Sequence, residues 1–252
     1  MLEGGSLLPE NEIEEISQAR IEETPLIHLI NKVQMYYGEA DLSATCLFSD
    51  HVLIKQGEIL KSDLALIYKY ENTLYRLRIN GAQQRKYLEW NAGYFNTLKE
   101  GDLTISFNPD VRSYNYDLFT SIRFETNISK EPGTRIENLA KADGTPVKDD
   151  DLFILAVNNY RANTQLLNAG PIFREGEELP ELLDVDVHGE LGGIREMICD
   201  YIQNVSHGIL WVPELPGSWK LTGIDWEPTD HEAVVEALKE GSLSFGNEMA
   251  DH

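Results

Sequence analysis

Cysteine is almost absent: Cys46 and Cys199 are the only two in 252 residues. Two cysteines so far apart make neither a disulfide framework nor a zinc cluster. Each lies among apolar neighbours, so both read as buried free thiols. Long hydrophobic runs are also missing, and no stretch is apolar enough to cross a membrane. The opening MLEGGSLLPENEIEEI lacks the basic start and apolar centre of a signal peptide. On that ground the chain reads as cytosolic, or as a piece of something longer. Positive charge is scarce: 21 Lys and Arg stand against 43 Asp and Glu, a net charge of −22. No run of Lys or Arg offsets this. Such an acidic chain repels duplex DNA or RNA, so a polynucleotide partner is not expected. A single small nucleotide needs only local donors and stays open. Gly-x-Ser-x-Gly, P-loop and Gly-x-Gly-x-x-Gly patterns are absent as well.

The composition that is present, 42% hydrophobic and 25% charged, is ordinary for a globular protein. The length allows one large domain or two small ones. Residues 1–23 read as a linker or peripheral helix. Thr24-Pro25 then opens an amphipathic helix whose buried face is Leu26, Ile27, Ile30, Val33 and Tyr37, with Gly38 as its end. Residues 41–48 look like a strand, Ser49–His51 a turn, and Ser62–Ile67 a short element. Leu74, Leu77 and Ile79 punctuate an alternating strand, and Asn80 suits a helix cap. The period then turns helical through Tyr87, Leu88, Asn91 and Phe95. Leu103–Phe107 and Ser121–Ile128 alternate like strands. Asp143-Gly144 marks a hairpin tip, and Phe153–Val157 (FILAV) is apolar enough for a central strand. Residues 174–192 read as an acidic loop, Ile194–Val205 as a helix, Trp219–Leu221 as a strand and His231–Lys239 as a weak helix. Helices and strands mix without a regular βαβ rhythm, which implies an α+β (irregular mixed α/β) fold over residues 24–222, with 223–252 as an extension.

Three constellations invite chemistry. Asp186-Val187-His188-Gly189 has the opening of a phosphoesterase metal site, but the further histidine motifs of such a site are missing, and an exposed acidic loop is the plainer reading. Glu196 and Asp200 share a helical face and form either an acid pair or a solvated surface. The third is a pair of aromatic-amide loops, Tyr68–Asn72 and Asn158–Asn163, each at a strand end. If they face each other, Tyr70 and Tyr160 can hold a flat heterocycle, at about 1–3 kcal/mol per stacked base. Asn72 and Asn159 can read the base edge, and Arg161 can meet a phosphate or cap a ring face. Composition alone favours half-buried edge tyrosines, and spacing alone does not bring the loops together. Ser113-Tyr114-Asn115-Tyr116-Asp117 is another Tyr/Asn loop.

Short pieces in a fixed order carry a resemblance. They are Thr24-Pro25-Leu26 to Asn31; Tyr68-Lys69-Tyr70-Glu71-Asn72-Thr73-Leu74; Asn80-Gly81 with Tyr87-Leu88-Glu89; Tyr94-Phe95-Asn96; Tyr114-Asn115-Tyr116-Asp117; Gly133-Thr134-Arg135-Ile136 with Asn138-Leu139; Asp149-Asp150-Asp151; Asn158-Asn159-Tyr160-Arg161-Ala162; and Trp219-Lys220-Leu221. In these pieces the chain resembles the C-terminal domain of the 5'-nucleotidase / 2',3'-cyclic-nucleotide 2'-phosphodiesterase (3'-nucleotidase) family, with the cyclic-phosphodiesterase branch the nearer. The resemblance implies a nucleotide-specificity domain with no catalytic residues, metal or cofactor of its own. It implies Tyr70 and Tyr160 as the stacking pair and Asn72 as the base-edge partner of a nucleoside or nucleotide. Hydrolysis in the family belongs to an N-terminal metallophosphoesterase domain holding divalent metals, which lies outside the resemblance, and members are usually extracytoplasmic. Two departures stand out. The family's Gly-Gly-x-Arg is here within Leu47–His51, without its phosphate-directed arginine, and the Gly-rich turn after Ala162 is Asn163-Thr164-Gln165-Leu166. The alternative is a degenerate interaction module of the same fold.

Overall fold

A computed structural model describes residues 2–3, 16–49, 52–54, 57–208, 215–224 and 228–245. Its elements begin with strand β1 (Leu2–Glu3), helix α1 (Pro25–Gly38), strands β2 (Leu42–Cys46) and β3 (Leu53–Ile54), helix α2 (Lys61–Ile67), strand β4 (Leu74–Asn80) and helix α3 (Gly81–Ala92). There follow β5 (Asp117–Thr120), β6 (Ile122–Asn127), β7 (Ile136–Lys141), β8 (Leu152–Asn158), the single turn α4 (Asn159–Arg161), β9 (Glu181–Asp184), α5 (Ile194–Asp200), β10 (Trp219–Thr222) and α6 (Pro228–Glu240). Both α4 and α5 continue into π-helical turns, Ala162–Leu166 and Tyr201–Val205.

The apolar run of β8 takes the centre of a five-stranded sheet, order β5-β2-β8-β4-β9. It runs parallel to β2 and antiparallel to β4. A strand covered on both faces must be apolar on both, which is why its sequence does not alternate. Leu155 and Val157 join Leu77 and Ile79 of β4 and Tyr87 and Leu88 of α3 in one core. Ala156 and Leu74 join the opposite core, with Leu26, Leu29, Ile30, Val33 and Tyr37 of α1 and Ile194 and Ile198 of α5. A second sheet, order β10-β6-β7, packs Phe124 and Trp219 into the α3-side core. The fold is therefore mixed α/β, with mixed sheets flanked by helices, as the sequence pattern implies.

Several local readings change. Gly38 is the last residue of α1, and the left-handed turn falls on Glu39 at φ 45°. Gly38 is small for another reason: a Cβ there would lie 3.1 Å from the Ala156 Cβ, so glycine lets the helix approach β8. The Thr24 hydroxyl makes no capping bond. Leu103–Phe107 is held by a single bridge, Phe107 to Phe95, instead of a ladder. Ile105 and Phe107 are buried as core plugs, which produces the same apolar alternation as a strand. Inside the acidic 174–192 stretch, β9 pairs with the edge of β4, helped by Arg76–Asp184 at 2.8 Å and by an Arg78–Glu181 ion pair. At the chain's ends, Ile16, Ala19, Val234 and Phe245 are buried in the α3-side core, so the packed unit reaches beyond 24–222 among the described residues. The expected helical pattern before residue 16 and residues 50–51 of the expected turn lie outside the described residues.

Candidate functional site

Strand pairing decides which loops meet. In the antiparallel β4–β8 pair, Leu74 lies opposite Asn158, so the loop before β4 and the turn after β8 emerge at the same end of the sheet. Because β2 runs parallel to β8, the segment after Cys46 emerges there too. β5 runs antiparallel to β2, with Asp117 opposite Cys46, and brings in the residues before it. Four loops thus converge at the carboxyl end of the parallel pair, the end where open α/β sheets usually form ligand crevices.

They enclose a cavity of about 290 Å³ lined by Cys46, Phe48, Tyr70, Asn72, Tyr114, Asn158, Tyr160 and Arg161. Tyr70 and Tyr160 are 46% and 44% exposed, so each ring offers an open face despite packing on a neighbour. Phe48 stands edge-on to Tyr70, with centroids 5.5 Å apart, and Tyr114 stands edge-on to Tyr160 at 6.2 Å. Each tyrosine is therefore braced by a second ring, in the geometry aromatic quadrupoles prefer. Asn72 is held through its backbone, its carbonyl accepting from the Ile194 amide at 2.9 Å. Its Nδ2 lies 3.4 Å from the buried Tyr68 hydroxyl.

The other two expected residues are engaged with the protein itself. Asn159 is not among the lining groups. It joins the two loops instead, its amide N–H donating to the Thr73 carbonyl at 2.9 Å and its Oδ1 accepting from the Thr73 N–H at 3.3 Å. Asn158 caps α4, its Oδ1 accepting from the Arg161 N–H at 2.8 Å. Arg161 lines the cavity, but its side chain is only 2% exposed. Its Nε donates to Asp117 at 2.5 Å, and its terminal nitrogens donate to Asn115 Oδ1 at 3.2 Å and the Tyr114 carbonyl at 2.9 Å. The guanidinium also covers the Trp90 ring at 5.0 Å. That ring belongs to the protein, so neither role toward a ligand, meeting a phosphate or capping a heterocycle, is what these contacts serve. Burial, the largest single influence, lowers its pKa, yet Asp117 together with Tyr87 and Cys46 outweighs it and the net shift is upward, so the cation persists.

Asp117 also accepts from the Tyr87 hydroxyl, while Asn91 bonds both its backbone groups. Burial and the nearby Asp117 push the Cys46 thiol up, which leaves it protonated. The lining thus combines rings, amides and one paired cation, a set suited to gripping a flat polar ring. Phe48, Tyr114, Asn158 and Cys46 were not singled out as site residues from the sequence. For Tyr114 the Tyr/Asn repetition was an available signal. Phe48 gives none until β2 is known to lie beside β8.

Elsewhere, the phosphoesterase-like segment is turn structure. Asp186 and His188 have φ of 46° and 52°; Asp186 accepts from the Thr73 hydroxyl, and His188 faces Glu190 at 2.9 Å. Among the described residues no three His, Cys, Asp or Glu side chains converge to hold a metal. Glu196 and Asp200 have separate partners, the Gly193 N–H and the Tyr37 hydroxyl.

Residues 8–166 match the family model for the 5'-nucleotidase C-terminal domain. The chain is 27% identical over 219 residues to the trifunctional nucleotide phosphoesterase protein YfkN of Bacillus subtilis, covering 73% of this chain and 14% of that protein. It is 26% identical over 179 residues to a 2',3'-cyclic-nucleotide 2'-phosphodiesterase/3'-nucleotidase of Yersinia enterocolitica, covering 56% of this chain and 27% of that protein. A crystal structure of a candidate 5'-nucleotidase from Staphylococcus aureus, solved with α-ketoglutarate, superposes with a TM-score of 0.66 at 21% identity, over 81% of this chain and 38% of that one. That likeness is one of fold. The chain spans well under half the length of each of these proteins.

Proposed function

The chain belongs to the 5'-nucleotidase C-terminal domain family, and from that premise we propose that its cavity holds the base of a nucleoside or nucleotide for a nucleotide phosphoesterase. The observation that carries this reading is that Tyr70 and Tyr160, from loops far apart in sequence, line one cavity together with Asn72. A base entering it meets open aromatic faces and an amide able to donate and accept. The cavity's size suits one flat ring system and its sugar. The chemistry of the whole enzyme would be water attack on a phosphoester, with divalent metals in an N-terminal catalytic domain activating the water and polarising the phosphate. The residues of this chain would hold and orient the base, which lowers the entropic part of the barrier without breaking a bond.

Isothermal titration of adenosine into the 252-residue chain and into its Tyr70→Ala/Tyr160→Ala variant tests the reading. Removing both rings is expected to weaken binding by at least about tenfold, since one stacked base contributes about 1–3 kcal/mol. Unchanged affinity in the variant, or no heat from the parent at millimolar ligand, would leave only an interaction module of the same fold.

A further inference from the structure

Helix α3 has a second face beside the one that buries Tyr87 and Leu88. Ala82, Arg85, Lys86, Glu89, Trp90 and Gly93 recur at three- and four-residue steps and so lie along one side of the helix. They line the floor of an open groove of about 740 Å³, a volume in the usual range for a ligand site. One wall is the segment Pro132–Ile136, held to the helix by Glu89, whose two oxygens accept from the Arg135 and Ile136 N–H groups at 2.9 Å. The other wall is residues 171–178. The Gln83 amide donates to the Glu178 carbonyl at 3.0 Å, and Lys86 pairs with Glu177 at 2.8 Å. These bonds use up much of the groove's charge. Both Glu89 oxygens are engaged, and the Lys86 hydrogen bond holds the Glu177 carboxyl below the usual carboxylate range. Two cations stay unmatched. Arg85 commits one N–H of its five, to the Ile136 carbonyl at 3.3 Å. The exposed Arg174 side chain has no hydrogen bond or ion pair among the described residues; only its backbone N–H is used, by Glu177. Asp149 is the one lining carboxylate left open, and its carbonyl places it at the Ala82 end. Toward the other end the lining turns apolar, with Val111, Pro132 and a half-buried Trp90.

We propose that this groove is a second ligand site, for an organic anion with a carboxylate head and a short apolar or aromatic body. It shares no lining residue with the aromatic cavity. The head lies between Arg85 and Arg174, one cation from the floor and one from a wall, whose planar forks match a carboxylate in two-pronged fashion. The body lies over Trp90. Five residues of helix separate Arg85 from Trp90, about 7–8 Å along the axis, which sets the spacing of head and body. A carboxylate alone meets only solvated cations, and a ring alone meets only one half-buried indole, so the ligand needs both parts. The site is local: in a chain of net charge −22, an anion is drawn here by two nearby guanidinium groups and not by the overall field.

The test follows the Trp90 indole N–H signal in NMR spectra of the ¹⁵N-labelled 252-residue chain, assigned with a Trp90→Phe variant. The probes are 4-phenylbutyrate, its neutral amide and acetate. The carboxylate is expected to move the signal to saturation at low millimolar concentration, with the amide and acetate at least about tenfold weaker. An Arg85→Gln/Arg174→Gln variant is expected to bind 4-phenylbutyrate at least about tenfold more weakly. The signals of the other three tryptophans report whether that variant is folded. Arg174→Gln alone removes no side-chain bond of the fold and is expected to weaken binding in the same direction. A Trp90 signal unmoved at about 10 mM carboxylate, an amide that binds as well as the acid, or equal binding by the folded arginine variants would overturn the proposal. The Tyr70→Ala/Tyr160→Ala variant is expected to bind 4-phenylbutyrate as the parent does; loss of binding there would assign the anion to the aromatic cavity and also overturn it. Failure of adenosine to bind leaves this site untouched, since neither tyrosine belongs to it.

Discussion

Tyr160 and Arg161 are sequence neighbours with opposite tasks, one ring open to the cavity and one cation buried beneath it. The pair Asp117–Arg161 fixes that arrangement, because the guanidinium ties the turn after β8 to the Tyr114 carbonyl and to the start of β5. Asp117→Ala would leave the Arg161 cation buried and unpaired, and would also strip the Tyr87 hydroxyl of its acceptor. The expected loss is about 3–5 kcal/mol in urea unfolding; a loss below about 1 kcal/mol would show that the pair does not hold the turn. At this scale the sequence was legible where chemistry is local. Tyr70, Asn72 and Tyr160 stand out because rings beside amides at strand ends are unusual whatever surrounds them. Arg161 was harder, since an arginine next to a site tyrosine looks the same whether it faces a ligand or a carboxylate forty-four residues away. Asn159 was harder still: its bonds to Thr73 exist only once β4 and β8 are paired.

Helix ends carry the same division between local and distant causes. The boundary between β4 and α3 was readable, because Asn80 and Gln83 cap each other within three residues, at 2.8 and 2.9 Å. β9 was not, because its pairing depends on Arg76 and Arg78 of another strand. At the start of α5, Gly193 lies against the Asn72 carbonyl, where a Cβ would come within 2.8 Å, and Glu196 accepts from the Gly193 N–H at 3.0 Å. This helix start therefore seats the loop that presents Asn72. Burial pushes the Glu196 carboxyl up, but hydrogen bonds from its own and the Gly193 backbone, with Arg195, outweigh it, and the net shift is downward. A carboxyl whose pKa is lower folded than unfolded contributes stability above its unfolded value and loses it as pH falls through the folded one. Glu196→Gln is therefore expected to lower the melting temperature at neutral pH and to flatten its fall between about pH 5 and pH 3. Parallel curves for parent and variant across that range would count against the cap. Adenosine affinity is expected to drop with the cap, because Ile194 N–H and the Asn72 carbonyl move together.

For the whole molecule, helices and strands mixed without a regular βαβ rhythm were enough to imply an α+β or irregular α/β fold, and the apolar run Phe153–Val157 marked its central strand. The second sheet was not foreseen, because β10 joins β6 in parallel across about ninety residues, and no local pattern records that choice. The edges of the packed unit were also drawn too tightly. A polar, acidic lead-in looks peripheral by composition, yet its last described turn behaves as core. Ile16 and Ala19 are fully buried, and Arg20 lies 5.6 Å from the centroids of both Tyr94 and Phe107. Glu23 accepts from the buried Ser218 N–H at 2.9 Å, joining this segment to the entry of β10. If the domain began at Thr24, deleting residues 1–23 would cost little. The packing argues otherwise: burying Ile16 stabilises by about 1.5–3 kcal/mol, and an orphaned Ser218 amide costs about 1–3 kcal/mol more. A 24–252 chain is therefore expected to lose at least about 3 kcal/mol in urea unfolding. The loss should appear as a lower midpoint with a similar slope, since most of the surface exposed on unfolding is unchanged. A truncated chain that unfolds at the parent's midpoint would return residues 16–23 to the status of a linker. It would also show that the aromatic cluster around Tyr94 closes without Arg20.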